Sequence, residues 1–300
     1  MTDELLLMLQ DLRLSSPDIV TEAMLLISSP IFHIAVPLAI ASVLLWCCDR
    51  KKGDWAMMSI VSGMFFGHLL KDVFRNPRPF LTDDRLTPEE RAMKGASGYS
   101  TPSGHTVDAV TSYGSVIVLV RRWWATVLMF AIIAVIMFSR LWLGVHTVFD
   151  LFIGLIVAVI VMAVNHILVS YSYRDDGNFL RSTVIYLLSY IAAMMIWLLI
   201  ADDSGPIMRY CGLFLGAIIG RQIAHSYVKD ERREHGLKGN LVRLIIGWPL
   251  AFLSFGIPFL ILGQYAGFFF GGLLCSVSIY ALIPLIFLTV KSKNEQAFNR

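Results

Sequence analysis

Charge is what this sequence has least of. Only 16% of its 300 residues are Asp, Glu, Lys or Arg, against about 25% in an ordinary soluble domain. Apolar residues make up 56%, and the mean hydropathy is +0.67. This imbalance runs along the whole chain and points to a membrane protein. The net charge of +3 is too small to argue for a nucleic-acid partner. Cysteine is scarce as well. Cys47, Cys48, Cys211 and Cys275 all sit in apolar stretches, and no metal-type spacing links them. They read as lipid-facing or core thiols, with lipidation of Cys47 or Cys48 as the lesser alternative. Met1–Arg13 begins acidic and shows no cleavage site after a basic region, so no signal peptide is expected.

What the chain does have is long apolar runs. A helix needs roughly 20 mostly apolar residues to cross the hydrocarbon core. Nine runs are predicted to do so: Pro30–Cys48, Trp55–Leu70, Thr106–Val120, Trp123–Phe138, Val148–Val169, Val184–Ala201, Pro206–His225, Leu241–Leu262 and Ala266–Val290. Leu5–Leu12 and Pro17–Ile27 are shorter and amphipathic, and are expected to lie on the interface. The expected fold is an all-α polytopic membrane helical bundle. It divides into an interfacial segment 1–29, a core 30–170 and a four-span accessory bundle 171–300.

Basic residues set the expected orientation. Arg50, Lys51 and Lys52, then Arg121 and Arg122, Arg174 and Arg181, Lys229, Arg232, Arg233 and Lys238, and finally Lys291 and Lys293 fall on one side if the spans alternate. The opposite loops Asp202–Gly205 and Gly263–Tyr265 carry no lysine or arginine. The positive-inside rule puts the N-terminus outside and the C-terminus in the cytoplasm. Lys71–Thr101 breaks this pattern. It is an outer loop, yet it holds Lys71, Arg75, Arg78, Arg85, Arg91 and Lys94. Positive charge there serves something other than topology.

Three segments meet on that outer side. The first runs from Lys71 to Arg78-Pro79, where Pro77 and Pro79 limit where Arg78 can point. The second is Thr101-Pro102-Ser103-Gly104-His105, just before a span. Free backbone N–H groups at a helix start attract anions, and Gly104 lets the backbone come close. The third is Ser139-Arg140, five residues, His146, and then Asp150 one helical turn on. A carboxylate on the same helix face can fix the tautomer of His146, leaving its other nitrogen free as base or nucleophile. Each segment alone has a structural explanation. Together they supply three cations, two histidines, one carboxylate and an anion-binding helix start, which suits displacement at phosphorus.

These motifs resemble the type-2 phosphatidic acid phosphatase superfamily, whose site is shared with vanadium haloperoxidases and glucose-6-phosphatase. The pattern is Lys, six residues, Arg-Pro, then Pro-Ser-Gly-His, then Ser-Arg, five residues, His, three residues, Asp. Every position is matched in order, and the resemblance spans about Pro30 to Ser170. It implies that His146 is the nucleophile, His105 the general acid and base, and Asp150 the residue that orients His146. Lys71, Arg78, Ser103, Gly104 and Arg140 would then bind the phosphoryl group, with no metal and no other cofactor. Paired histidine roles predict a bell-shaped pH dependence.

The resemblance also implies the partner, a membrane lipid. Candidates are phosphatidic acid, phosphatidylglycerol phosphate, a polyprenyl diphosphate or a sphingoid-base phosphate. The alternatives are a sugar-phosphate phosphatase resembling glucose-6-phosphatase, a lipid phosphotransferase, and, in another class, an inactive transporter or scaffold. The expected location is a bacterial plasma membrane with the site on the exoplasmic side, or the endoplasmic reticulum with a luminal site in a eukaryote. Asp83, Asp84, Glu89 and Glu90 read as solvated loop. His68 reads as structural, with lining the site as the lesser alternative, Asp108 as a helix-start carboxylate or a supporting residue behind the site, and Arg221, Gln222 and His225 as snorkelling groups. His33 and His166 have no nameable partner.

Overall fold

The computed structural model describes residues 2–96, 98–201, 205–228 and 237–288. These form helices and turns, with no strand among the described residues. The helices are α1 (Thr2–Ser15), α2 (Asp18–Ile27), α3 (Val36–Cys47), α4 (Arg50–Phe74), α5 (Glu90–Met93) and α6 (Gly104–Val120). They continue with α7 (Trp123–Trp142), α8 (Val148–Ser172), α9 (Asp176–Ile200), α10 (Gly205–Tyr227), α11 (Leu237–Leu262) and α12 (Gln264–Val277). The all-helical expectation holds.

Among the described residues, seven helical runs are long and apolar enough to cross a membrane, against the nine expected. α6 and α10 are not among the seven. α6 has 17 residues, about 26 Å at the helical rise, at the short end of what crosses a core roughly 30 Å thick. α10 is long enough, but Arg221, Gln222 and His225 interrupt it. At the N-terminus, α2 was expected on the interface. Instead it continues through a π turn at Ile31–Ala35 into α3, giving one apolar run, Asp18–Cys47. Lys229, Arg232, Arg233, Lys291, Lys293, Asp202 and Asp203, used above for orientation or as loop residues, lie outside the described residues.

The exposed surface is apolar where a soluble protein would be polar. On α8, Phe152, Ile156, Val159, Ile160, Val164 and Ile167 face outward, and on α9 Leu199 is 82% exposed. Contiguous apolar surface of that kind suits lipid rather than water.

The chain forms two compact units. The first comprises Met1–Leu38, Ser62–Val164 and Met195–Pro206. Here Gly63 and Gly67 of α4 lie against Thr111 and Val107 of α6, and a Cβ on Gly63 would come within 2.8 Å of Thr111. The corner after α7 packs as a small core. Trp142, Leu143 and Val145 join Ala92, with Val20, Met24 and Leu25 of α2 against them. The N-terminal helices brace this corner: Arg13 Nη1 donates to the Trp142 carbonyl at 3.2 Å, and Trp142 Nε1 donates to Thr21 Oγ1 at 3.2 Å.

The second unit comprises Ala39–Val61, Asn165–Met194 and Ile207–Arg300. Gly212, Gly216 and Gly220 recur one turn apart on α10, with the backbone of α12 and the turn after it packed directly on them. Small residues at this spacing let two membrane helices approach closely. Arg221, read above as snorkelling, is buried instead. Its Nε donates to both Asp54 oxygens at 3.0 and 2.7 Å, and its terminal nitrogens reach Ser182 at 3.2 Å and Ser172 at 2.7 Å. Tyr280 adds a hydrogen bond to Asp54 at 2.9 Å, and the guanidinium carbon lies 4.1 Å from the Phe179 ring centroid. The reason is distance from the interface: an arginine too deep to reach water needs a carboxylate. Removing one partner of a buried pair strands the other, at about 3–5 kcal/mol. Arg221→Ala is therefore expected to lower the melting temperature in detergent by several degrees, and an unchanged melting curve would refute this role for the pair.

Candidate active site

The three motif segments all lie in the first unit. Lys71 ends up in the last turn of α4, buried, with Nζ donating to the Tyr99 carbonyl at 2.9 Å and to that of Ser100 at 3.4 Å. Arg78 follows in extended backbone before Pro79. It donates to the Gly98 carbonyl at 3.1 Å and the Val145 carbonyl at 3.0 Å. Its Nη1 also lies 2.9 Å from His146 Nε2. A guanidinium has only donors, so Nε2 must present its lone pair there.

The other imidazole nitrogen completes the tautomer argument. His146 Nδ1 is 3.4 Å from Asp150 Oδ2. That carboxylate is held from several directions. Ser100 Oγ donates to Oδ2 at 2.6 Å, the Thr147 N–H donates to Oδ2 at 2.7 Å, and Thr101 Oγ1 donates to Oδ1. With Nδ1 protonated toward Asp150, Nε2 is the nitrogen that carries the lone pair. His146 lies in the turn between α7 and α8 and is only 2% exposed. Burial, aided by the nearby Arg78 charge, holds its pKa well below the usual 6.5 and keeps it neutral.

Ser103 caps α6. Its Oγ accepts the Thr106 N–H at 3.4 Å, and its own N–H donates to the Asp150 carbonyl at 3.0 Å. Accepting leaves the hydroxyl hydrogen free to donate. Gly104 lies close to the end of α4, where a Cβ would come within 3.2 Å of His68 Cε1 and 3.9 Å of Lys71 Cε. Gly154 lies on α8, where a Cβ would meet the Ser103 carbonyl at 3.0 Å. Glycine at 154 lets the start of α6 sit against α8.

Arg140 lies in the last turn of α7 and is 2% exposed. Its Nε and Nη2 are buried and have no hydrogen-bond partner among the described residues. Buried guanidinium donors are costly to leave unmade. Arg78 and Lys71 lie within Coulombic range of the same guanidinium. The corner after Arg140 turns on Gly144 at φ +71°, where a Cβ would strike Pro88 Cα at 3.2 Å. His105, in the first turn of α6, places Nε2 3.0 Å from the Ser28 carbonyl.

All eight sequence-chosen residues therefore lie in one unit, Arg78, His146, Asp150 and Ser103 are tied together by polar contacts, and Gly104 lies against His68 and Lys71. The other loop cations separate from them. Arg85 pairs with Asp83 at 2.7 Å and Arg91 with Glu22 at 2.5 Å, both at the surface. Ser100, Thr101 and His33 were missed. The two hydroxyls adjoin the Pro-Ser-Gly-His motif, which was the available signal. His33 pairs with Asp108 at 3.2 Å, 75 residues away, and no local pattern announces that.

The described residues form a helical fold with apolar outer faces, in which a buried histidine–aspartate pair lies within Coulombic range of three buried cations, Lys71, Arg78 and Arg140. Residues 55–174 match the model of the PAP2 superfamily, so the resemblance carried by the motifs stands. The chain is also similar to a lipid phosphate phosphatase delta from Arabidopsis thaliana, with 25% identity over 252 residues. That alignment takes in 76% of this chain but 58% of the relative, so the chain spans little more than half of that protein's length. No solved structure matches.

Proposed function

We propose that this protein is a lipid phosphate phosphatase acting through a phosphohistidine on His146. The observation that carries the proposal is Arg140, a buried guanidinium with open donors beside a neutral, oriented imidazole. Phosphoryl transfer needs mostly positioning and neutralisation of charge on the equatorial oxygens. Lys71, Arg78 and Arg140 supply that charge without a metal, and Ser103 with the first-turn N–H groups of α6 adds neutral donors.

The steps balance as follows. The His146 Nε2 lone pair attacks phosphorus as the ester P–O bond breaks, and the leaving oxygen takes a proton from His105. Asp150 stabilises the positive charge left on His146. Water then attacks phosphorus, giving its proton to His105, and the P–N bond breaks to return Nε2 its lone pair. A lipid is favoured over a sugar because the similar plant protein carries that name and because the site is built among helices apolar enough to lie in a bilayer. The positive-inside pattern supports an exoplasmic or luminal site, and the domain division at 29 and 170 is proposed with it.

Phosphate release should be assayed in detergent with EDTA, from phosphatidic acid, sphingosine phosphate, phosphatidylglycerol phosphate, undecaprenyl diphosphate and glucose 6-phosphate. EDTA-resistant release, best from a lipid, is expected. Preference for glucose 6-phosphate would overturn the lipid assignment. The pH profile has a defined sign. His146 attacks when neutral, and its pKa is lowered. The acid limb of kcat/KM should therefore fall below pH 6.5, with activity kept through the usual histidine range and lost only on further acidification. An acid limb at or above the ordinary value would contradict a buried neutral nucleophile.

A further inference from the structure

His33 belongs to no motif, yet it is built into the site. It sits on the π turn Ile31–Ala35, a widened turn of the kind often found at functional positions. Its Nδ1 lies 3.2 Å from Asp108 Oδ2, and both residues are buried. Its ring centroid lies 4.2 Å from that of His105, tilted by 42°. Three further contacts fasten the same stretch of chain. Ser28 offers its carbonyl to His105 Nε2 at 3.0 Å, Ser28 and Ser139 share a hydroxyl contact at 2.7 Å, and Tyr113 donates to the Phe32 carbonyl at 2.8 Å.

We infer that His33, anchored by Asp108, is a positioning residue for His105. The inference rests on the phosphatase reading above. The Ser28 carbonyl accepts at Nε2 of His105 and so keeps a proton there. The proton that His105 passes to the leaving group, and later takes from water, is then the one on Nδ1. A ring held at one edge by a carbonyl can still swing about that contact, and the His33 face stops it. Asp108 fixes His33 by accepting from Nδ1–H. It also carries an oxygen, Oδ1, that is buried and without a hydrogen-bond partner. The charged and titratable groups acting on this cluster are Asp108 and His33 themselves, Lys71 from α4, Arg140 from α7 and His146. Loss of His33 would therefore impair proton transfer while leaving the nucleophile and Lys71, Arg78 and Arg140 in place.

Leaving-group chemistry isolates that effect. An alkoxide needs a proton to depart, whereas p-nitrophenolate does not. His33→Ala, His33→Asn, His146→Ala and wild type would be compared as monodisperse protein in detergent, with phosphatidic acid and p-nitrophenyl phosphate as substrates. Asparagine can offer Asp108 an N–H in place of Nδ1. His33→Ala is expected to lose about 10²-fold in kcat/KM on phosphatidic acid, the scale of general acid catalysis. It should lose less than about tenfold on p-nitrophenyl phosphate, and His33→Asn should recover part of the deficit. Equal losses on both substrates, or none on either, would overturn the positioning role while leaving the phosphatase reading intact. Wild type with no His146-dependent release from either substrate would bring down that reading and this inference together.

Discussion

Replacing His146 with alanine should reduce phosphate release by at least about 10⁴-fold, the scale on which covalent catalysis collapses when its nucleophile is removed. The loss should appear in kcat, because Lys71, Arg78 and Arg140 are left in place. The His146 Nε2 faces Arg78 Nη1 at 2.9 Å and its Nδ1 faces Asp150 at 3.4 Å. Quenching wild type during turnover with SDS at alkaline pH should trap an acid-labile, base-stable phosphoramidate on the protein, and the alanine variant should trap none. Asp150→Asn should also be severely impaired while remaining folded, because an amide can offer its N–H toward Nδ1 and favour the wrong tautomer. Substantial turnover by His146→Ala would mean that water attacks phosphorus directly.

The second large effect concerns Arg140, where activity and stability should move in opposite directions. Its guanidinium is buried with Nε and Nη2 unpartnered, so the empty protein bears the cost of desolvated donors. Arg140→Ala should lower kcat/KM by about 10²–10³-fold, as expected on losing one fixed stabiliser of transition-state charge. In phosphate-free buffer the same variant should melt no lower than wild type, because burying an unpaired cation is unfavourable. Inorganic phosphate should raise the melting temperature of wild type by mass action and leave Arg140→Ala unmoved. A variant that melts lower and still responds to phosphate would show that Arg140 holds the fold and not the anion.

The candidate site was legible in the sequence because each of its segments is written in short spacings. His146 and Asp150 are one turn apart, Ser103 to His105 open a helix, and Lys71 and Arg78 lie at the end of α4 and just beyond it. Local geometry brings the residues within each segment near one another. Contacts between distant segments were not legible. Arg221 lies 167 residues from Asp54, and a polar residue near the end of an apolar run gives no sign of whether it reaches water or a partner. His33 and Asp108 posed the same problem at a separation of 75. The expected span count exceeds the seven found among the described residues for a related reason. Hydropathy marks apolar runs but does not measure helix length, so α6, 17 residues long, was counted with the longer runs. It also misses a π turn, which joined α2 to α3.

The corner between Arg140 and His146 is a measuring rod. The Val145 N–H donates to the Arg140 carbonyl at 3.2 Å, the Gly144 N–H to Leu141 at 3.0 Å, and from outside the Glu89 N–H clamps the Leu143 carbonyl at 3.0 Å. One inserted residue would displace the imidazole from the guanidinium by up to about 3.5 Å, a whole hydrogen-bond length. On the proposed mechanism, this stretch gauges the phosphoryl group common to every such substrate and not what is attached to it, so retargeting to a new phosphate ester should leave residues 139–150 at their natural length and search for selectivity elsewhere.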